Sequence, residues 1–117
     1  MAERLAYKVL TVPQLDAWRR EGVFRGTPAD LADGFIHLSL AGQLAGTLDR
    51  HYRGQDRLML VAVDLAGLGA ALRWEEARGG ALFPHVYGAL TLDAVVAAAP
   101  LERTADGGVT LPGAAPP

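Results

Sequence analysis

The run Arg57-Leu58-Met59-Leu60-Val61-Ala62-Val63-Asp64 constrains the fold more than any other segment. Its six inner residues are all apolar, so a strand through them has no face suited to water. Such a strand belongs in the middle of a sheet, covered on both sides. Further strands are expected at Leu5-Ala6-Tyr7-Lys8-Val9-Leu10 and Leu72-Arg73-Trp74-Glu75, with an extended or irregular stretch from Phe83 to Leu90. Asp106-Gly107-Gly108 signals a hairpin that joins Leu101-Glu102-Arg103 to Val109-Thr110-Leu111. The segment from Leu92 to Ala99 reads either way. Its alanines favour helix, whereas Val95-Val96 ahead of Pro100 favours a strand.

Helix signals are fewer. Thr11-Val12-Pro13-Gln14 has the form of a capping box, with Thr11 as N-cap and Pro13 in the first turn, where its missing N–H costs nothing. Leu15 and Trp18 supply the buried stripe and Gly22 the stop. A second helix is expected from about Ala41 to Tyr52, with Leu40, Leu44, Leu48 and Tyr52 in one apolar row and Gln43, Asp49, Arg50 and Arg53 facing water. Val23 to Gly34 reads as a turn-rich connection, and Gly54-Gln55-Asp56 as a turn. The expected fold is α+β: a compact single domain of mostly antiparallel strands with two or three short helices, spanning residues 1–111. The tail 112–117, made only of Pro, Gly and Ala, is expected to be disordered.

Several function classes are disfavoured by composition. The chain has 117 residues, enough for one domain with a real core. Eleven Lys and Arg against thirteen Asp and Glu leave a net charge of −2, without the basic excess of a duplex-DNA binder. There is no cysteine, which removes disulfides, thiolate metal sites and thiol nucleophiles. No apolar run approaches the roughly 20 residues of a membrane span, and Met1-Ala2-Glu3-Arg4-Leu5 lacks a signal-peptide pattern, so a cytoplasmic protein without membrane partners is expected.

The candidate chemistry lies in two segments. In Gly34-Phe35-Ile36-His37-Leu38-Ser39-Leu40, read as a strand, Ile36, Leu38 and Leu40 share an apolar face. Phe35, His37 and Ser39 share the other, which suits a ligand-binding wall. Ser39 has a second reading as a cap of the helix that follows. Phe83-Pro84-His85-Val86-Tyr87 places Phe83, His85 and Tyr87 on one face in the same way. The competing role for that cluster is to close the core. Glu75 follows Trp74 directly and is either a site carboxylate or a surface partner of Arg73 or Arg78. His51 falls at the border of its helix's buried face and reads as structural or solvent-facing. No metal is expected, because His37, His51, His85 and Glu75 lack close ligand spacing. Gly67-Leu68-Gly69 has no basic residue beside it to make a phosphate loop, and there is no Gly-x-Ser-x-Gly nucleophile motif.

Asp33-Gly34-Phe35-Ile36-His37-Leu38-Ser39 followed by Gln43, then Arg73-Trp74-Glu75 and Phe83-Pro84-His85-Val86-Tyr87-Gly88, resembles the bacterial family of small proteins catalogued as domain of unknown function 952. The resemblance runs from about Tyr7 to Leu111. That family is in turn similar in fold and first motif to the ADP-ribosyltransferase superfamily, which holds NAD between two antiparallel sheet halves. The resemblance implies an ADP-ribosyltransferase-like fold and a pocket for NAD, as substrate, or a related ribonucleotide. His37 and Ser39 fit the ribose-binding position. An aromatic residue that stacks on nicotinamide would be Tyr87, Phe83 or Tyr52. Glu75 or Glu76 would face the reacting sugar, although Trp74-Glu75-Glu76-Ala77-Arg78 departs from the superfamily's Glu-x-Glu. His85 would relay a proton. Related RNA 2′-phosphotransferases use His and several Arg residues, a version for which Arg25, Arg73 and Arg78 are the candidates. Expected activities are therefore ADP-ribosyl or phosphoryl transfer on a small nucleotide-type ligand. The alternative is a binding module that keeps the pocket without the chemistry.

Overall fold

Strand β4 (Leu58–Asp64) is the centre of its sheet, flanked by β1 (Leu5–Thr11) and β8 (Val95–Pro100), both antiparallel to it. The computed structural model describes residues 4–112, and at Arg78 the backbone only. Both faces of β4 are covered, as its sequence demands. Met59, Val61 and Val63 turn toward a core of Leu10, Leu15, Trp18, Ile36 and Val86. Leu58, Leu60 and Ala62 turn toward Tyr7, Val9, Leu44 and Leu48. At roughly 2 kcal/mol for each large side chain taken fully from water, these two clusters dominate the stabilisation.

Helix α1 (Val12–Glu21) starts on the expected capping box: Gln14 N–H donates to Thr11 Oγ1, and Thr11 N–H donates to Gln14 Oε1. It buries Leu15 and Trp18 and ends at Gly22. The Trp18 ring stacks on Phe24, with centroids 5.0 Å apart, in β2 (Val23–Phe24), which pairs with β7 (Leu90–Thr91). The third helix, α3 (Leu44–His51), follows a single 3₁₀ turn at Ala41–Gln43 and buries Leu44 and Leu48.

A second three-stranded sheet is formed by β3 (Ile36–His37), β6 (Leu82–Val86) and β5 (Leu72–Glu76), antiparallel, with β6 in the middle. It is tied to the first where Tyr7 and Ser39 exchange two backbone hydrogen bonds, of 2.8 and 2.9 Å. The result is a compact α+β domain of mostly antiparallel strands and a few short helices. No helix among the described residues is long and apolar enough to cross a membrane.

Three expectations need correction. The stretch Val23–Gly34 is not merely turns, because it contains β2 and a one-and-a-half-turn helix, α2 (Pro28–Asp33). That helix lacks an apolar stripe: its Leu31 is 65% exposed and its buried residue is Asp30. Hydrophobic periodicity therefore could not reveal it. Gln43 is half-buried rather than fully turned to water. Its amide accepts from Leu40 N–H and donates to Leu82 O, pinning the start of α3 to β6. The His37 strand is shorter than its alternation suggested, with ladder pairing only at Ile36–His37 before the chain crosses to β1. The open segment 92–99 resolves as a 3₁₀ turn followed by β8. The hairpin at Asp106-Gly107-Gly108 is present as the Arg103–Val109 bridge. Of the tail, 113–117 lies outside the described residues.

Candidate functional site

The second sheet gathers the polar and aromatic residues onto one face. His37 is the direct partner of His85, His85 of Arg73, and Phe83 of Glu75. Directly opposed residues share a face and alternate residues along a strand return to it. Phe35, His37, Phe83, His85, Tyr87, Arg73 and Glu75 therefore come together. The His37 and His85 rings are 5.5 Å apart and edge-on, and Phe35 stacks on His85 at 4.1 Å while touching His37 at 4.5 Å. The two segments singled out in the sequence thus converge.

Each imidazole is backed by a carboxylate. His37 Nδ1 lies 2.6 Å from Asp30 Oδ1, which also accepts from the His37 backbone N–H at 3.2 Å. Asp30 Oδ2 accepts from Thr27 N–H at 2.9 Å, completing a second capping box in which Thr27 Oγ1 receives the Asp30 N–H. Lys8, the chain's only lysine, reaches the same carboxylate at 2.8 and 3.0 Å and donates to the His37 carbonyl at 2.9 Å. Burial works to raise the Asp30 carboxyl. The His37 hydrogen bond and the Lys8 ammonium outweigh it and hold the group well below the ordinary carboxylate range. Gly26 makes room for this arrangement. Its φ is +133°, and a Cβ there would stand 2.8 Å from Asp30 Cβ.

Two features complete the His37 side. Asp33, the last residue of α2, places Oδ2 2.9 Å from His37 Nε2. Gly34 follows in the left-handed conformation, φ +89°, and turns the chain into β3 so that the two side chains meet. With both nitrogens protonated, each N–H of the ring has its own carboxylate acceptor. On the other side, His85 Nδ1 is 2.8 Å from Glu75 Oε1, and the Tyr87 hydroxyl donates to that same oxygen at 2.7 Å. These two hydrogen bonds lower the Glu75 carboxyl, and the Glu75 bond raises the Tyr87 phenol. The Arg73 guanidinium sits over the Tyr87 ring, 4.6 Å from its centroid.

The two imidazoles border a cleft of about 450 Å³ at the junction of the two sheets. His37, Ser39, Phe83 and His85 line it, and so does His51, so all three histidines of the chain reach the same space. Tyr52 lines it as well, with its hydroxyl donating to Val9 O at 3.3 Å and its phenol raised by burial. Ser39 does not cap the following helix. Its hydroxyl lies 2.8 Å from Thr47 Oγ1 on α3. Glu75 and Tyr87 stand outside the lining and connect to it through His85. The Arg78 side chain, a candidate binding group, lies outside the described residues. Among the described residues no three His, Asp or Glu side chains are placed to hold a metal ion.

The residues that sequence reasoning missed are Lys8, Asp30 and Asp33. Each had a signal. Lys8 is the one charge within an otherwise apolar strand, between Ala6 and Leu10 on the same face. Asp30 stands three residues after Thr27, the spacing of a capping box, with Pro28 between. Asp33 precedes His37 by four residues across a glycine turn.

Comparison with known proteins places the chain. Residues 9–98 match the model of the family described as Protein of unknown function (DUF952), and the chain belongs to that family. It is similar to protein CC0527 from Caulobacter crescentus. The crystal structure of CC0527 is 45% identical, with a TM-score of 0.82, over 91% of this chain and 93% of that one. The solution NMR structure of CC0527 gives 47% identity and a TM-score of 0.76 over 90% of each chain. No curated protein matches the chain.

Proposed function

We propose that this member of the DUF952 family binds a ribonucleotide of the NAD type in the cleft, and that His37 and His85 perform acid–base chemistry on it, transferring an ADP-ribosyl or phosphoryl group. The observation that carries the reading is the convergence of two imidazoles from neighbouring strands, 5.5 Å apart, each with its Nδ1 held by a carboxylate. A carboxylate on Nδ1 fixes the tautomer and orientation; Nε2 of His85 is then left to exchange a proton with a ligand, and Nε2 of His37 does so once it leaves the exposed Asp33. A position at the junction of two antiparallel sheet halves agrees with an ADP-ribosyltransferase-like organisation. The cleft volume lies in the ordinary range for small-ligand sites. In this reading His37 and Ser39 meet the ribose hydroxyls and Phe83 offers a ring face. Glu75 acts by positioning His85, with Tyr87 and Arg73 holding Glu75 in turn.

A second reading, a binding module without chemistry, is favoured by one observation. Glu75 already receives two hydrogen bonds and stands outside the cleft lining, so it does not present itself to a sugar carbon. Ligand-induced stabilisation tests the binding. At about one hundred times Kd, a ligand specific for the folded state adds about 2.7 kcal/mol, enough to raise Tm by several degrees. NAD or ADP-ribose should do this for the native chain and not for His37→Ala. Absence of a shift with either compound overturns the reading. Binding without nicotinamide release, unchanged by Glu75→Gln, selects the binding module.

A further inference from the structure

We infer that Asp33 is the carboxylate that selects the ligand of this cleft, and that it favours a ring carrying a positive charge, the chemistry of a pyridinium riboside over its neutral reduced form. The inference rests on the nucleotide reading above and adds to it the charge of the bound ring.

Among the described residues three carboxylates surround the two imidazoles, and one of them is available. Asp30 is 2% exposed and accepts from Lys8, the Thr27 N–H, the His37 N–H and the His37 ring, which uses up its lone pairs. Glu75 is spent on His85 and Tyr87 and stands outside the lining. Asp33 lines the cleft, is 56% exposed, and meets His37 Nε2 at 2.9 Å.

The charges lead to the same residue. Lys8 and Asp30 form a buried ion pair and cancel. Among the described lining residues that leaves Asp33 as the one fixed charge without a fixed counter-charge. Its partner is an imidazole, which is a cation only while it holds a second proton. A ligand that brings its own positive charge supplies that counter-ion permanently and leaves His37 Nε2 to a ribose hydroxyl. A neutral ring supplies neither. Asp33 is more than half exposed, so water screens the contact and keeps its worth modest.

The oxidised and reduced forms of NAD provide the probe, since they share the ADP-ribose portion and differ by one positive charge on the nicotinamide ring. Calorimetric titration of the native chain should give a Kd for NAD⁺ about tenfold below that for NADH, a modest ratio for one partly solvated charge contact. Asp33→Asn should bring the two within about twofold. Asp33 is exposed at a helix end, so the variant is expected to fold, and its melting curve checks this. Equal affinities for NAD⁺ and NADH in the native chain overturn the inference and leave the nucleotide reading intact. So does a preference that survives in a folded Asp33→Asn variant. Failure of NAD⁺, NADH and ADP-ribose alike overturns both.

Discussion

The two imidazoles of the cleft are supported in opposite ways. His37 rests on Asp30, a carboxylate sealed in the core, paired with a buried lysine and capping its own helix. His85 rests on Glu75, a carboxylate at the surface, held by a tyrosine hydroxyl under an arginine. The first support is part of the fold and the second is an addition to it. Taking a charge out of water leaves the remaining partner very costly if one member is removed, whereas an exposed pair exchanges its contacts for water at little cost. The same pairing chemistry is thus expected to appear as stability on one side of the cleft and as orientation on the other.

Asp30→Ala should show the largest effect. It leaves Lys8 buried without a counter-charge and removes the cap of α2, which together cost about 3–5 kcal/mol. In a chain of this size that lowers Tm on the order of 10 °C or more by calorimetry. The double variant Lys8→Met/Asp30→Ala should lose less than the sum of the two single changes, because the charges disappear together. Strict additivity would show that the pair is not coupled.

Gly26→Ala comes next. It forces an alanine into φ +133° and against Asp30 Cβ, at a cost of about 1–3 kcal/mol. A variant as stable as the native chain in urea would show that the loop before α2 is free to move away from Asp30.

Acid titration gives a smaller, graded effect. The folded-state pKa of Asp30 is depressed below its ordinary 3.8, so the unfolded chain binds that proton more tightly. The stability it contributes is complete above the unfolded value and is lost as pH falls through the folded one. Tm should therefore decline more steeply below about pH 4 for the native chain than for Asp30→Asn. Glu75→Gln should follow the native slope, because its carboxylate is exposed and screened.

The smallest effect on stability is expected for Glu75→Gln and Tyr87→Phe at neutral pH, with melting temperatures close to native. Their effect should appear in the ¹⁵N shifts of the His85 ring, which report its tautomer. A large loss of stability in either would remove the contrast between the two sides.

Much of this arrangement was legible in the sequence. The doubly apolar Leu58–Val63 run announced a central strand, and alternation in Phe35–Ser39 and Phe83–Tyr87 announced two faces carrying His37 and His85. The Thr11–Gln14 box announced α1. What stayed hidden depended on long-range contacts. Asp30 is buried by a lysine 22 residues away, and a helix whose inward residue is charged has no hydrophobic period to detect. Glu75 lies on β5, the edge strand of the second sheet, and reaches His85 across the β5–β6 pairing, which no local pattern encodes.

The central claim, that His37 and His85 meet one ligand between them, is tested most directly by following the ring ¹H–¹³C resonances of the three histidines during titration with NAD. The account predicts that His37 and His85 shift together along one saturation curve, and that His37→Ala abolishes the shift at His85. Saturating NAD that leaves both resonances in place, or moves them with different Kd values, would contradict it.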